Sequence, residues 1–550
     1  MKQTAVSLAF CMLWLLARTG PAADWPAYRA DIARTATTGD VLGFPLAPAW
    51  IYTPAQPPQA AWPDAVQPEG GRAEVDRIQF DNAFVPVIAD GHVYFGSNAD
   101  DTLRALRLKD GTLAWRFTAA GPIRFAPHIA EGLCYFAADD GFAYCLDAQD
   151  GALVWKTRLA PTGDLLLGRG RMISRRPCRS GVLVDGGVVY ATAGMWPSEG
   201  IYVYALDAKT GERMWRNDTS NFLYLRHPHE LYSMTGVAPQ GYLCASRDIL
   251  LVPTGRALPA GFDRATGELL YSPSVDKYGG VFTVVNEEHG LFFNGHSRMR
   301  IVRNGRVRHG FLSYALDTGR PKATDREPVP NHALRAGDVT VTREGSMVTA
   351  AREGKVVWRY DAGKTVDALA GADGSLLIGT HGGTIHCLRG AEEIGGREPL
   401  HAGPRFPETD TRAPAPEELP AVLDLLAEHH VGKGYALVLG DGDARFAEGL
   451  AARTRLHVVC VLDDPGSAQR ERERLLDRTR LYGSRLCVLA PSGNARPVLP
   501  QYFANLVVVR DDPETLSGKA LYRVLRPCEE VMCFKKLSGA AAEEAVEDAG

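Results

Sequence analysis

Leu146-Asp147-Ala148-Gln149-Asp150-Gly151-Ala152-Leu153-Val154-Trp155 and Leu206-Asp207-Ala208-Lys209-Thr210-Gly211-Glu212-Arg213-Met214-Trp215 are two copies of one unit. Each runs from an apolar stretch through Asp and a polar turn to Gly, with Trp four residues after the Gly. Arg107-Leu108-Lys109-Asp110-Gly111 with Trp115 repeats the unit, as does Phe262-Asp263-Arg264-Ala265-Thr266-Gly267 with Tyr271. Leu316-Asp317-Thr318-Gly319 is a shortened copy, and Val356-Val357-Trp358 keeps the aromatic end of another. The chemistry of the unit is local. An Asp carboxylate bonds backbone amides two residues on and starts a turn, and Gly takes the positive φ that a tight hairpin needs. The aromatic then falls on the following strand, where a large ring can fill the gap to a neighbouring unit.

Alternating runs such as Gly91-His92-Val93-Tyr94-Phe95-Gly96 and Gly187-Val188-Val189-Tyr190-Ala191 precede the turns, giving about four short strands per unit. Tandem four-stranded units of roughly 40 residues predict a β-propeller. Seven units can be counted between residues 80 and 395, two of them degenerate, so the expectation is seven or eight blades. The leading segment 24–79, with Asp24-Trp25-Pro26-Ala27-Tyr28-Arg29 and Pro48-Ala49-Trp50-Ile51-Tyr52, is expected to pair with the last unit (Leu376 to Cys387) and close the ring.

The repeat resembles the tryptophan-docking repeat of the PQQ-binding-like β-propeller superfamily, which includes quinoprotein dehydrogenases and non-enzymatic outer-membrane assembly propellers. The enzymes of that superfamily imply calcium-coordinating carboxylates, a catalytic Asp and often a pair of adjacent cysteines. This sequence has no adjacent cysteines and no evident calcium cluster, so PQQ is not expected and a PQQ-dependent oxidoreductase is the third of three functional readings.

The turn glycines 111, 151, 211 and 267 are unevenly spaced, and the two wide intervals hold inserts. Inserts on a rigid scaffold are where binding loops sit. The first, Gly163 to Arg179, carries Arg169, Arg171, Arg175, Arg176 and Arg179. The second, Asn217 to Gly236, carries Tyr224, Arg226, His227, His229 and Tyr232. Trp196 lies in a long turn between them. Arginine forks and aromatic faces suit an anionic or carbohydrate-like ligand or a protein partner; the competing reading is a solvated charged loop with local ion pairs. His227 and His229 lack a third ligand at metal spacing, so no metal is expected.

Residues 1–23 read as a secretory signal: Lys2, a short apolar run from Ala5 to Ala17, and small residues at Gly20-Pro21-Ala22-Ala23. The alternative, a membrane anchor, needs a longer run. No other segment is apolar enough to span a bilayer, so an exported, periplasmic or extracellular protein is expected. The net charge of −4 over 550 residues, from 61 basic and 65 acidic side chains, excludes a globally basic nucleic-acid binder. Of ten cysteines, Cys11 would leave with the signal, and the nine others lie mostly in apolar runs without CxxC spacing. They read as buried free thiols rather than a disulfide framework or zinc site.

Pro- and charge-rich residues 396–420 read as a linker. Beyond it the period changes. Apolar strands at Tyr435 to Leu439, Leu456 to Leu462, Arg485 to Ala490 and Asn505 to Val509 alternate with helices at Ala421 to His430, Ala444 to Thr454 and Gly466 to Tyr482. That alternation predicts a Rossmann-like doubly wound α/β domain over 421–535, followed by a disordered acidic tail, 536–550. The first strand ends in Gly440-Asp441-Gly442-Asp443-Ala444, the second in Asp463-Asp464, and Arg523-Val524-Leu525-Arg526-Pro527 follows. This set resembles a class I S-adenosylmethionine-dependent methyltransferase. The resemblance implies cofactor contacts from Gly440, Asp441, Gly442, Asp443 and Asp463. The departures are Ala444 for the third loop glycine, Val438 and Leu462 where acids are usual, and Cys528-Glu529-Glu530 after Pro527. The expectation is an exported binding or scaffold propeller carrying a degenerate methyltransferase-like domain. The alternative is an active transferase whose propeller recruits substrate; catalytic residues are not assigned.

Overall fold

The structure is a computed structural model. It describes residues 24–62, 80–226, 232–255, 257–272, 282–294, 300–303, 306–309, 312–324, 326–404, 406, 416–491, 497–510, 518–527 and 531–534. The signal segment, His227, His229 and the acidic tail lie outside these.

Each repeat forms an antiparallel sheet, and seven sheets make the ring. The first is Val87–Ala89, His92–Gly96, Thr102–Arg107 and Leu113–Thr118. The aromatic four residues after each turn glycine lies on the outermost strand and reaches the next sheet. The Trp115 indole N–H donates to the Ala148 carbonyl at 2.9 Å, Trp155 to Ala208 at 2.9 Å and Trp215 to Arg264 at 3.0 Å. Tyr271 does the same with its hydroxyl, to Leu316 at 2.7 Å. Each indole also lies flat on the neighbour's turn glycine. A Cβ on Gly151 (φ +76°) would stand 2.6 Å from Trp115, and one on Gly211 2.6 Å from Trp155. The glycine thus serves twice, taking the left-handed backbone of its own turn and leaving room for the ring of the blade before it.

Seven blades, not eight, complete the circle, and both chain ends close it. Leu46–Tyr52 is the outer strand of the seventh sheet, antiparallel to Ile385–Gly390 with Trp50 opposite Cys387. Trp50 then docks on the first sheet, donating to Leu108 at 2.8 Å, and Trp358 of the sixth sheet donates to Leu46 at 2.9 Å. Leu400–Ala402, within the stretch expected to be linker, adds in parallel to Leu46–Tyr52. The fifth sheet is the irregular one: its described ladder has three strands, extended by a single bridge between Tyr314 and Pro321.

Residues 24–38 line the inner strands one after another. Trp25 exchanges backbone bonds with Ile88 at 2.8 and 2.9 Å, and Pro26 accepts from Ile129 at 2.8 Å. Ile32 and Ala33 accept from Ala245 and Val285 at 2.9 Å, and Ala36 accepts from Arg335 at 2.8 Å. One short segment therefore pairs orphan donors on five sheets, as buried backbone requires. Its side chains hold it there. Arg34, 1% exposed, donates to the Leu243 carbonyl at 2.8 Å, and Tyr28 stacks on Tyr242 at 3.6 Å.

The C-terminal strands Lys433–Leu439, Arg455–Val461, Leu486–Leu489, Leu506–Val509 and Val531–Phe534 form one parallel sheet. Its order is third, second, first, fourth, fifth. Helices Leu419–Glu428, Arg445–Arg453, Pro465–Arg478 and Gly518–Val524 accompany it. The seven cysteines whose side chains are described are free thiols, six of them buried. Among the described residues, no helix is long and apolar enough to cross a membrane.

Candidate functional site at the junction of ring and parallel sheet

The arginine-rich insert is not a free rim loop. Leu165–Gly168 and Arg171–Ser174 pair as a β-hairpin, and its apolar side chains pack against the parallel sheet. Met172 joins a buried cluster with Leu437, Val459, Leu489, Phe503 and Val507, and Leu165 and Leu167 pack against it. The Leu165 amide donates to the Val498 carbonyl at 3.0 Å, extending backbone pairing between the two units. The physical reason is alternation. Leu165, Leu167 and Met172 would otherwise be exposed apolar surface, and the sheet beyond them has an apolar face of its own to cover.

The arginines of the insert find partners within the chain, although Arg169 and Arg175 stay exposed. Arg171, 5% exposed, donates to the Asn98 and Ala99 carbonyls at 3.1 and 3.0 Å and pairs with Asp101. It thereby fixes the turn 97–101 of the first sheet against the hairpin. In the same turn Asp100 pairs with Arg104 at 2.6 Å. Burial alone would raise the Asp100 carboxyl; the Arg104 charge and hydrogen bonds outweigh it and pull it down to about 2. The C-terminal domain meets this turn through Gly483, where a Cβ would strike the Ala99 carbonyl oxygen. Arg169 donates to the Ala60 and Trp62 carbonyls at 2.9 and 2.5 Å. Arg175 pairs with Glu199 at 2.5 Å, and Arg176 donates to the Glu199 carbonyl at 2.8 Å. Arg179, 3% exposed, pairs with Asp139 at 3.1 Å, and burial draws its guanidinium down to about 10. Arg124 joins that buried group, reaching Asp81 and Asp139 at 2.6 Å each.

The structure therefore gathers Arg169 and Arg171 at the junction and Arg175 and Arg176 around Glu199, each with partners inside the chain. Trp196 stays half exposed, edge-on to Trp62 at 5.7 Å. Arg226 ends the strand Leu223–Arg226, which pairs with Tyr232–Thr235.

At the glycine loop, Gly440 and Gly442 take positive φ (+68° and +65°), and no atom lies within 4 Å of a Cβ placed on Gly442. Asp441 turns inward. It is 4% exposed, accepts from the Phe446 and Ala447 amides at 3.3 and 2.9 Å, and pairs with Arg510. Those amides open helix Arg445–Arg453, the end that attracts an anion; here the chain's own carboxylate occupies it. Burial pushes the Asp441 carboxyl up, opposed by the Ala447 amide and Arg510. Arg510 also reaches Glu418 at 3.4 Å and covers the Phe446 ring at 5.0 Å. Asp443 is exposed beside Arg445 at 3.1 Å. Asp463 is exposed at the end of the second strand, and Asp464 caps the next helix through Ser467. Sequence reasoning missed Arg510. Its signal was a charge placed directly after the all-apolar strand Leu506–Val509, whose parallel register puts Val509 beside Leu439.

Fold and site together define a seven-bladed propeller of docked-aromatic repeats that carries a parallel α/β sheet. Residues 59–191 and 99–338, together half of the chain, match the family described as outer membrane protein assembly factor BamB, and the chain belongs to that family. The outer membrane protein assembly factor BamB of Kangiella koreensis is 24% identical over 229 residues, 40% of this chain and 50% of that protein. That of Yersinia pestis is 30% identical over 139 residues, 24% of this chain and 33% of that protein. The chain thus spans at most half the length of these curated relatives. Among solved structures, BamB from Moraxella catarrhalis aligns with a TM-score of 0.33 at 16% identity, covering 54% of this chain and 82% of that one.

Proposed function

We propose that the chain is an exported binding scaffold. Its propeller engages protein partners of an outer-membrane assembly apparatus, and its C-terminal unit is a Rossmann-like, methyltransferase-type domain that has given up its cofactor. The observation that carries the second half is Asp441. Its carboxylate, held by Arg510, takes the helix-end amides that a cofactor loop would keep for its ligand. The relatives' printed description supports the first half, as does a ring built for rigidity by six aromatic docks.

The open space beside Gly442 favours a second reading, a methyltransferase that still admits S-adenosylmethionine. Calorimetric titration of the full chain with that molecule separates the two. The scaffold reading expects no saturable heat. A saturable heat that disappears in Gly442→Asp overturns it in favour of the transferase.

A further inference from the structure

A cavity of about 530 Å³ lies where the seventh and first sheets meet the helix Pro465–Arg478. Its size and its position between two structural units are those of small-molecule sites. Leu106 and Leu113 of the first sheet, Leu400 and Phe406 of the following segment, and Leu476 of the helix give it apolar walls. Leu113 and Leu400 are about half exposed, so part of this apolar wall is open to solvent.

The polar groups in the walls set the ligand's charge. Arg104 and Asp100 neutralise each other at 2.6 Å. Arg116 reaches Asp477 at 3.0 Å and Glu473 at 3.3 Å, so one cation faces two carboxylates. Of the groups lining the cavity, Arg104 and Arg116 stand against Asp100, Asp110 and Asp477, a slightly negative balance that disfavours an anion. Among the described residues, two donors in these walls have no hydrogen-bond partner: the Tyr52 hydroxyl, on a residue 2% exposed, and the Arg116 Nε–H. Burial raises the Tyr52 phenol, which therefore keeps its proton to donate. Both atoms are shielded from bulk water, and a buried donor without an acceptor is costly. Both side chains line the cavity, so an acceptor oxygen held there would supply the partner that either donor lacks.

We propose that this cavity binds a small uncharged molecule with an apolar body and a carbonyl or similar acceptor oxygen at its inner end, gripped between the ring and the α/β sheet. Its walls belong to both units, so the molecule would also tighten their junction.

The test uses the neutral fluorescent ketone propionyl-dimethylaminonaphthalene on the full chain. Saturable, blue-shifted binding is expected at one site per chain. Leu113→Trp, which fills the cavity from an exposed position, should weaken binding at least tenfold. Leu153→Trp, at the corresponding position of the second sheet, should leave it unchanged. Tyr52→Phe should weaken it by about five- to tenfold, the loss of one hydrogen bond. The matching naphthalene carboxylate should bind less tightly than the ketone. Absence of saturable binding, or binding indifferent to Leu113→Trp (an adventitious apolar site elsewhere), overturns the proposal. Unchanged affinity in Tyr52→Phe, or tighter binding of the carboxylate, overturns the assigned ligand chemistry.

Discussion

A turn glycine in this chain is a packing residue as much as a conformational one. Gly151 and Gly91 both sit at positive φ, +76° and +69°. They differ in what a side chain would meet: the Trp115 ring at 2.6 Å for Gly151, nothing within 4 Å for Gly91. Gly91→Ala should therefore cost about 1–2 kcal/mol, the left-handed backbone penalty alone. Gly151→Ala adds overpacking against a buried indole and should cost about 1–3 kcal/mol more. Denaturant midpoints of the two variants measure the difference, and equal losses would show that the indole is not seated on the glycine. The turn itself was legible in the sequence, since Asp-to-amide bonding and positive φ are local. The second role was hidden, because Trp115 belongs to the preceding blade, 36 residues earlier in the chain, and the repeat shows only spacing along the chain, not which ring meets which glycine.

At the scale of elements, the hairpin Leu165–Ser174 changes the meaning of its arginines. Counted along the chain, they form a basic loop. In space, Arg171 is a clamp on the turn 97–101, and the hairpin's apolar side chains seal the α/β sheet against the ring. Met172→Asp places a carboxylate in that seal, without a partner. Burying it should cost several kcal/mol, on the order of 3, paid at the junction and not within either core. In calorimetry the transition of the α/β unit should move below that of the propeller, which should stay nearly unmoved. A uniform shift of one cooperative transition would instead place Met172 in a core shared by the whole molecule. The first four strands of the C-terminal sheet and the helices between them were visible in the sequence, because their apolar periods are internal to each element; the helix Pro465–Arg478 ends four residues before the expected Tyr482, and helix Gly518–Val524 and strand Val531–Phe534 were not singled out. Arg510 was not singled out: its importance comes from parallel register, which sets the end of one strand beside the end of another 70 residues away.

For the whole molecule, closure rests on the strand Leu46–Tyr52. Trp50 is fully buried, packs on Gly111 of the first sheet and donates to Leu108. Without that strand the seventh sheet loses its outer ladder and its dock on the first sheet. Trp50→Ala should cost about 3–5 kcal/mol, the range for a buried large aromatic. Because it opens the seam between last and first blades, loss of amide protection should centre on those blades. Protection lost evenly round the ring would argue against a seam.

The propeller, its closing strand and the alternation that follows could be read from residues alone, since repeated local rules of turn, strand and helix add up to them. What folding in three dimensions decided was the fate of the polar side chains: Arg171 and Arg179 buried, Asp441 closed on Arg510, and a hollow left between two units. Charge and spacing along a chain do not say which surfaces will meet, and burial, which determines whether a charge binds a ligand or a neighbour, is a property of the packed molecule.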